Sequence, residues 1–290
     1  MTILQLFISG LALGGIYALM ALGLTVIYRS TTVVNFAHGQ AFMLAALVGV
    51  LAMGAGVPYG LAIALGLFAT AVLGYLMYRV AFVPLLNADH VTHVFATIAV
   101  GFILTGGVRW LFGSDVRRFP PILDRPPLRI GGDKPLVVDV QSLLIILAVL
   151  ILTGAMAWVF LRSQVGLILR ATTQSQRGAM LVGIEVKRVF AAMWVVGPVL
   201  AGIAGVLAAP TLLVGPDLGQ APMLLAFAGM ALGGFGSFPG AVVGGALVGL
   251  IQTIAGFYIS TGFGEASGFL VILAVLLVRP QGIFGSSEVA

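Results

Sequence analysis

Apolar runs long enough to cross a bilayer fill most of this sequence, and they limit what it can fold into. At about 20 residues per helical crossing, runs lie near 3–27, 36–53, 60–80, 94–112, 141–161, 187–208, 240–258 and 265–278. A shorter run at 222–235 reads either as a ninth crossing or as half of a re-entrant pair. Only 8% of the 290 residues are charged, whereas soluble domains carry roughly 25%. The fold class is therefore all-α and polytopic, one transmembrane domain over 1–290 with about 8–10 transmembrane helices. Forty glycines fit that class, because small residues let membrane helices approach closely.

Cysteine is absent, which removes disulfides, thiolate metal sites and cysteine nucleophiles together. The net charge of +5 does not read as nucleic-acid binding, since the basic residues are few, scattered between spans and without aromatic stacking around them. The first residues, MTILQLFISGLALGG, lack the positive start of a cleaved signal peptide and read as a retained first span.

Basic residues set the orientation. Arg29, Arg79, the cluster at 162–188 and Arg279 all fall on the cytoplasmic side if there are nine crossings, with the N-terminus outside and the C-terminus inside. The loop 113–140 is then external. It mixes Arg117, Arg118, Arg125, Arg129 and Lys134 with Asp115, Asp124, Asp133 and Asp139, and its prolines and the Gly131-Gly132 pair predict an irregular cap. The segment 162–188 carries Arg162, Arg170, Arg177, Lys187 and Arg188 against the single acid Glu185, within a broken helical pattern. It reads as an amphipathic element held outside the hydrocarbon, either a plain basic loop or a docking surface for a cytoplasmic partner. GQAFMLAALVG (39–49) and GQAPMLLAFAG (219–229) share seven of eleven positions, as an inverted repeat would require if the first starts inside and the second outside.

Two constellations carry candidate chemistry. Asn35, His38 and Gln40 are polar groups at the edge of the second run, with Thr97 on the fourth run grouped with them. Polar side chains at membrane depth either clamp helices or line a solute pathway, and both readings stand. His90 and His93, beside Asp89, read as solvated loop residues. The stretch GGFGSFPGAVVGGALVG (233–249) places glycines four apart, with Gly233, Gly236, Pro239, Gly240 and Gly244 forming either a packing face or a gate; Pro239 is expected to break or kink the chain.

Absences narrow the function. All nine acids lie in loops, at span ends or at the tail, so no carboxylate sits where ion-coupled carriers keep one. No GxxxxGK[ST], HExxH or Ser-His-Asp grouping appears. A non-enzymatic pore component driven by a separate engine fits best; a self-sufficient secondary transporter or channel is the alternative of a different class.

The motifs GLALGGIYALMALGLTVIYRSTTVVNFAHGQAFMLAA (10–46), RATTQSQRGAMLVGIEVKRV (170–189), ALGGFGSFPGAVVGGALVG (231–249) and VRPQGIFG (278–285) occur in the order found in branched-chain amino acid ABC-transporter permeases. The chain resembles the shorter of the two paired permeases. The resemblance implies an importer in the bacterial cytoplasmic (inner) membrane, with ABC ATPase subunits, a second permease (a heterodimer in preference to a homodimer), a periplasmic or extracellular solute-binding protein and surrounding lipid. It makes 113–140 a periplasmic loop and 162–188 a cytoplasmic coupling segment, with Arg170, Ala171, Gln174, Leu181, Gly183 and Glu185 facing the ATPase. Gly183 is expected to permit close backbone approach. The chain itself would need no cofactor or metal, ATP and Mg being used by the partner. Solutes of such importers include branched-chain and other neutral amino acids, urea and short amides. Gln174 stands where many relatives carry an acid, and Tyr78 precedes Arg79 where relatives often place glutamate.

Overall fold

α1 (Ile3–Thr31) is the helix around which the others pack. It has no charge before Arg29, and 89% of its most apolar window is buried inside the protein. A helix that is apolar on every side can be covered by lipid or by protein; here protein covers it. The structure, a computed structural model, describes residues 3–86, 88–123, 125–130 and 136–285. In chain order α2 (His38–Gly54), α3 (Tyr59–Met77) and α4 (His90–Phe112) follow α1, and α3 runs on through a π-helical turn at Tyr78–Phe82. Then come strands β1 (Arg117–Arg118), β2 (Leu128–Ile130) and β3 (Leu136–Val138), and the helix α5 (Val140–Arg162). Two short helices, α6 (Gln164–Gln174) and α7 (Gln176–Leu181), precede α8 (Val186–Ala208). After β4 (Leu213–Val214) the chain ends in α9 (Gln220–Gly233), α10 (Phe238–Tyr258) and α11 (Thr261–Val278).

Seven helical spans among the described residues are long and apolar enough to cross a membrane. α2 and α9, at 17 and 14 residues, are the two short ones. Helix starts in this chain are of two kinds, and α2 and α9 share theirs with α3, α5 and α8, which also lack a side-chain cap. α4, α6, α7, α10 and α11 begin on side-chain caps from Asp89, Ser163, Ser175, Ser237 and Ser260. α2 and α9 begin on Ala37 and Gly219, with no side-chain cap.

One end of the bundle is covered by the described residues of the loop 113–140, which include paired strands. β1 pairs antiparallel with β4, and β2 pairs antiparallel with β3. Phe119 is buried, and its ring forms an edge contact with Tyr59. Asp124, the Gly131-Gly132 pair, Asp133, Lys134 and Pro135 lie outside the described residues. At the opposite end the C-terminal RPQGIFG stretch folds back on α9. The Ile283 and Phe284 amides donate to Leu232 and Gly233 carbonyls at 2.8 and 3.0 Å. These are carbonyls that a helix end otherwise leaves unpaired.

Two expectations change here. Pro239 does not kink a helix; it sits in the first turn of α10, just after the Ser237 cap, where its missing N–H has no partner to lose. His93 is not solvated. It is buried, with its Nδ1 3.0 Å from the Asp89 carbonyl and its ring beside Phe82. Phe82 also meets Phe190 and Trp194, so the π-helical turn supplies the centre of an aromatic cluster that covers the histidine.

Candidate functional site

The repeat segments 39–49 and 219–229 open the two short helices, and their first residues meet. A Cβ on Gly39 would collide with the Gly219 carbonyl, and one on Gly219 with the Gly39 carbonyl. The helices then run apart. α2 ends toward the loop 113–140, where Gly49 lies against Phe119, while α9 ends on the C-terminal strap. Irregular chain precedes each helix, residues 32–37 before α2 and 215–219 before α9. Non-helical backbone at membrane depth is tolerated only where protein or a water-lined cavity surrounds it.

Three of the four sequence-level pathway residues build the first of these legs. α1 ends at Thr32, whose φ of 56° turns the chain inward. Asn35 is buried; its Oδ1 accepts from the Ala37 amide at 3.0 Å, making a side-chain-closed turn. Thr97 accepts from the Phe36 amide at 3.2 Å, tying the leg to α4. His38 is fully buried beside the Met20 backbone and Gly23 of α1. Neither of its ring nitrogens completes a hydrogen bond.

Gln40 is the one of the four that reaches open space. It lines a cleft of about 400 Å³ between α2, α4 and α9, with Phe36, Phe102, Thr105, Gln220 and Met223 among the walls. The volume falls within the roughly 300–1,000 Å³ of small-molecule sites. Gln40 Nε2 donates to Thr105 Oγ1 at 3.4 Å, while its Oε1 is buried without a partner. At the mouth, Arg109 Nη2 donates to both Asp217 oxygens at 2.7 and 2.6 Å, and Gln220 Nε2 donates to Asp217 Oδ1 at 2.6 Å. The cleft is thus apolar-walled, with neutral polar groups deep and a balanced ion pair outside.

The basic element 162–188 is two helices joined at Ser175, whose extended backbone (φ −156°, ψ 108°) breaks the run. α7 ends in a Schellman turn: the Ile184 amide donates to the Ala179 carbonyl at 3.0 Å and the Gly183 amide to the Met180 carbonyl at 3.1 Å. Gly183 has φ +86°, which explains the glycine. No atom lies within 4 Å of where its Cβ would be, so close approach inside this chain is not the reason. The turn thrusts Leu181 and Val182 outward, 88% and 76% exposed. Gln174 is exposed, Ala171 is half-buried, and Glu185 pairs with Arg188 at 2.7 Å. Arg170 turns inward instead, its Nη1 donating to the Phe160 carbonyl.

The glycine stretch packs. Cβ atoms at Gly233 and Gly240 would strike each other's backbone; one at Gly244 would strike Gly229. Gly236, at φ +78°, sits in the turn between α9 and α10.

Residues 6–279 match the family described as branched-chain amino acid transport system / permease component. The chain belongs to this family. It is 30% identical over 298 residues to the high-affinity branched-chain amino acid transport system permease protein LivH of Escherichia coli K12, covering 99% of this chain and 96% of that one. It is 28% identical over 299 residues to the permease protein BraD of Pseudomonas aeruginosa, covering 99% and 97%. Among solved structures, PsaBC from Streptococcus pneumoniae in complex with Fab aligns with TM-score 0.48 and 16% identity over 94% of this chain and 91% of that one, a likeness too distant to argue from. The permease is a multi-pass protein of the cytoplasmic membrane.

Sequence reasoning missed several polar residues of this permease. Thr105 joins Gln40 only because α4 stands beside α2, and Gln220 only through the meeting of α2 and α9. The Arg109–Asp217 pair spans 108 residues, which no local spacing signals. A second cleft of about 320 Å³ runs past Tyr17, Gln252 and Glu265, and Tyr17 donates to Gln252 Oε1 at 2.6 Å. Tyr78 OH donates to the Lys187 carbonyl at 2.9 Å, joining the π-helical turn to the start of α8 directly after the basic element 162–188.

Proposed function

We propose that this permease is the membrane subunit of an ATP-driven importer for branched-chain or related small neutral amino acids. Its solute path follows the cleft between α2, α4 and α9. The uncapped starts of α2 and α9 put electropositive backbone ends beside that cleft, which favours a carboxylate. Gln40 Oε1, buried and unpaired in this state, becomes an acceptor for an ammonium group when the side chain turns into the cleft, and Phe36, Phe102 and Met223 suit an apolar side chain. A zwitterion with an aliphatic tail matches all three, while urea or a short amide would leave the apolar walls unused.

The observation that carries the ATP-driven part is the apolar tip Leu181–Val182, exposed on a basic element outside the spans. Exposed apolar knobs rimmed by polar groups mark interaction surfaces. In this reading an ATPase subunit covers the tip, and closure of a pair of such subunits around ATP and Mg moves α6 and α7. The Tyr78–Lys187 bond and the Phe82 cluster pass that motion to α3 and α8. A second permease subunit, preferably a related chain, completes the pore, and a solute-binding protein delivers the solute at the external cap.

The test is purification from native membranes in mild detergent, with mass spectrometry of whatever stays bound. Recovery of an ATPase in near-equal amount, lost in Gly183→Asp, is expected. A chain that comes out alone and moves solute in liposomes without ATP would overturn the proposal.

A further inference from the structure

Away from the cleft, a groove of about 490 Å³ opens between α1, α5 and α10. Its walls include Leu22, Leu150, Met156, Val242 and Val243, and Arg29 is its one charged lining residue. The hydroxyl of Thr153 is already spent on the Val149 carbonyl at 2.7 Å. From Leu150 to Leu161 the groove follows α5 for about 16 Å at 1.5 Å per residue. That is the depth of one leaflet of a hydrocarbon core about 30 Å thick.

The cytoplasmic end of the groove is unusual in charge. Phe160 and Phe238 stack with ring centroids 4.3 Å apart. Arg29 lies 5.1 Å over the Phe238 ring, and Arg170 donates to the Phe160 carbonyl. Two guanidinium groups therefore flank one aromatic pair, close enough to repel each other. Among the described residues neither meets a carboxylate. Arg29 makes only a long 3.5 Å bond to the Gly236 carbonyl. Each guanidinium has five N–H donors, so each keeps donors beyond these contacts; Arg29 lines the groove and Arg170 stands behind its Phe160 wall.

We infer that this groove binds one anionic phospholipid of the cytoplasmic leaflet, its phosphate held by Arg29 and Arg170 and an acyl chain lying along α5. A phosphate offsets two like charges and matches the planar guanidinium fork. Basic pockets between membrane helices on the cytoplasmic side are where anionic head groups bind. The occupant is a lipid and not free phosphate, because the groove supplies a leaflet-long apolar wall directly below the arginines. Since Arg29 belongs to α1 and Arg170 to α6, the lipid would bridge the central helix to the cytoplasmic element.

The experiment uses the full-length chain in mild detergent, with whatever subunits stay bound, and native mass spectrometry. Dioleoyl phosphatidylglycerol is compared with dioleoyl phosphatidylcholine and with inorganic phosphate. At least tenfold greater retention of phosphatidylglycerol is expected, with Arg29→Gln reducing it about tenfold and Arg29→Lys keeping part of it. Gly154→Phe fills the groove, and no atom lies within 4 Å of a Cβ there; it is expected to abolish lipid retention with both arginines intact. Equal retention of the two lipids overturns the inference. So does phosphatidylglycerol binding that Gly154→Phe leaves unchanged, or equal competition by inorganic phosphate. Cross-linking of an engineered Ala157→Cys to a neighbouring subunit would assign the groove to a protein interface and overturn it as well. If Arg29→Gln fails to fold, the head-group comparison and Gly154→Phe still decide. The readout needs neither ATP nor solute, so it is independent of the importer reading.

Discussion

Two glycine-dependent places in this permease require glycine for opposite reasons. At the Gly39–Gly219 junction the backbone is ordinary and the space is absent, because each residue's Cβ would enter the other's carbonyl. At Gly183 the space is open and the backbone is unusual, with φ +86°. The first lies buried where two short helices begin, the second on an exposed turn between α7 and α8. A side chain at the junction acts on the packing of the whole membrane domain. A side chain at Gly183 acts on a local turn and on whatever docks there.

The largest effect is therefore expected from Gly219→Ala. Overpacking a rigid site costs roughly 1–3 kcal/mol and occasionally more, and here both colliding groups are backbone. Thermal unfolding in detergent should shift markedly and the yield of folded protein should fall, with uptake lost alongside. An unshifted melt would mean that the two short helices slide apart freely, and the junction would then be a moving part.

Gly183→Asp should separate function from folding. A left-handed residue with a side chain costs about 1–2 kcal/mol, and Asp is among the types that visit that region most readily. Nothing is struck, so the melt should stay close to wild type. Uptake should nevertheless vanish, because a carboxylate appears beside the Leu181–Val182 tip. Normal uptake would remove this turn from the ATPase contact.

Gln40 and His38 sharpen the contrast one level down, within a single turn of α2. Gln40→Leu should lower uptake by about tenfold with little change in melting, since it leaves Thr105 without its neighbour but keeps the volume. His38→Ala should do the reverse. Removing a buried ring leaves a cavity and lowers the melt, while uptake per folded molecule should stay within about twofold. Equal behaviour of the two variants would put His38 back in the pathway.

Much of this was legible from residues alone, and the gaps have physical causes. Long apolar runs give spans whatever surrounds them, and basic loops gave one consistent orientation. The irregular leg 32–37 (TVVNFA) runs without a charge into α2, so the second apolar run read as starting at residue 36 and not as a leg plus a short helix. The GQA repeat was the available signal, and it marks the two positions that meet. Pro239 read as a breaker because its place relative to the Ser237 cap is a matter of two residues. His93 read as solvated because the rings covering it, Phe82 and Trp194, come from elsewhere in the chain. Gln40 was separable from Asn35, His38 and Thr97 only once α4 and α9 stood beside it.

The smallest effect should come from the cleft mouth. Arg109 and Asp217 are each about half exposed, at 50% and 52% for their side chains. Exposed ion pairs contribute about 0–1 kcal/mol, and salt screens them. Arg109→Gln should therefore lower uptake by no more than about threefold, and the difference should close near 1 M salt, where the screening length is about 3 Å. The mechanical reason for any loss is that the pair ties α4 to the leg before α9. A loss above tenfold that persists in high salt would contradict this. It would mean that Arg109 handles the solute's carboxylate directly, and the site's main polar contact would move from Gln40 to the external mouth.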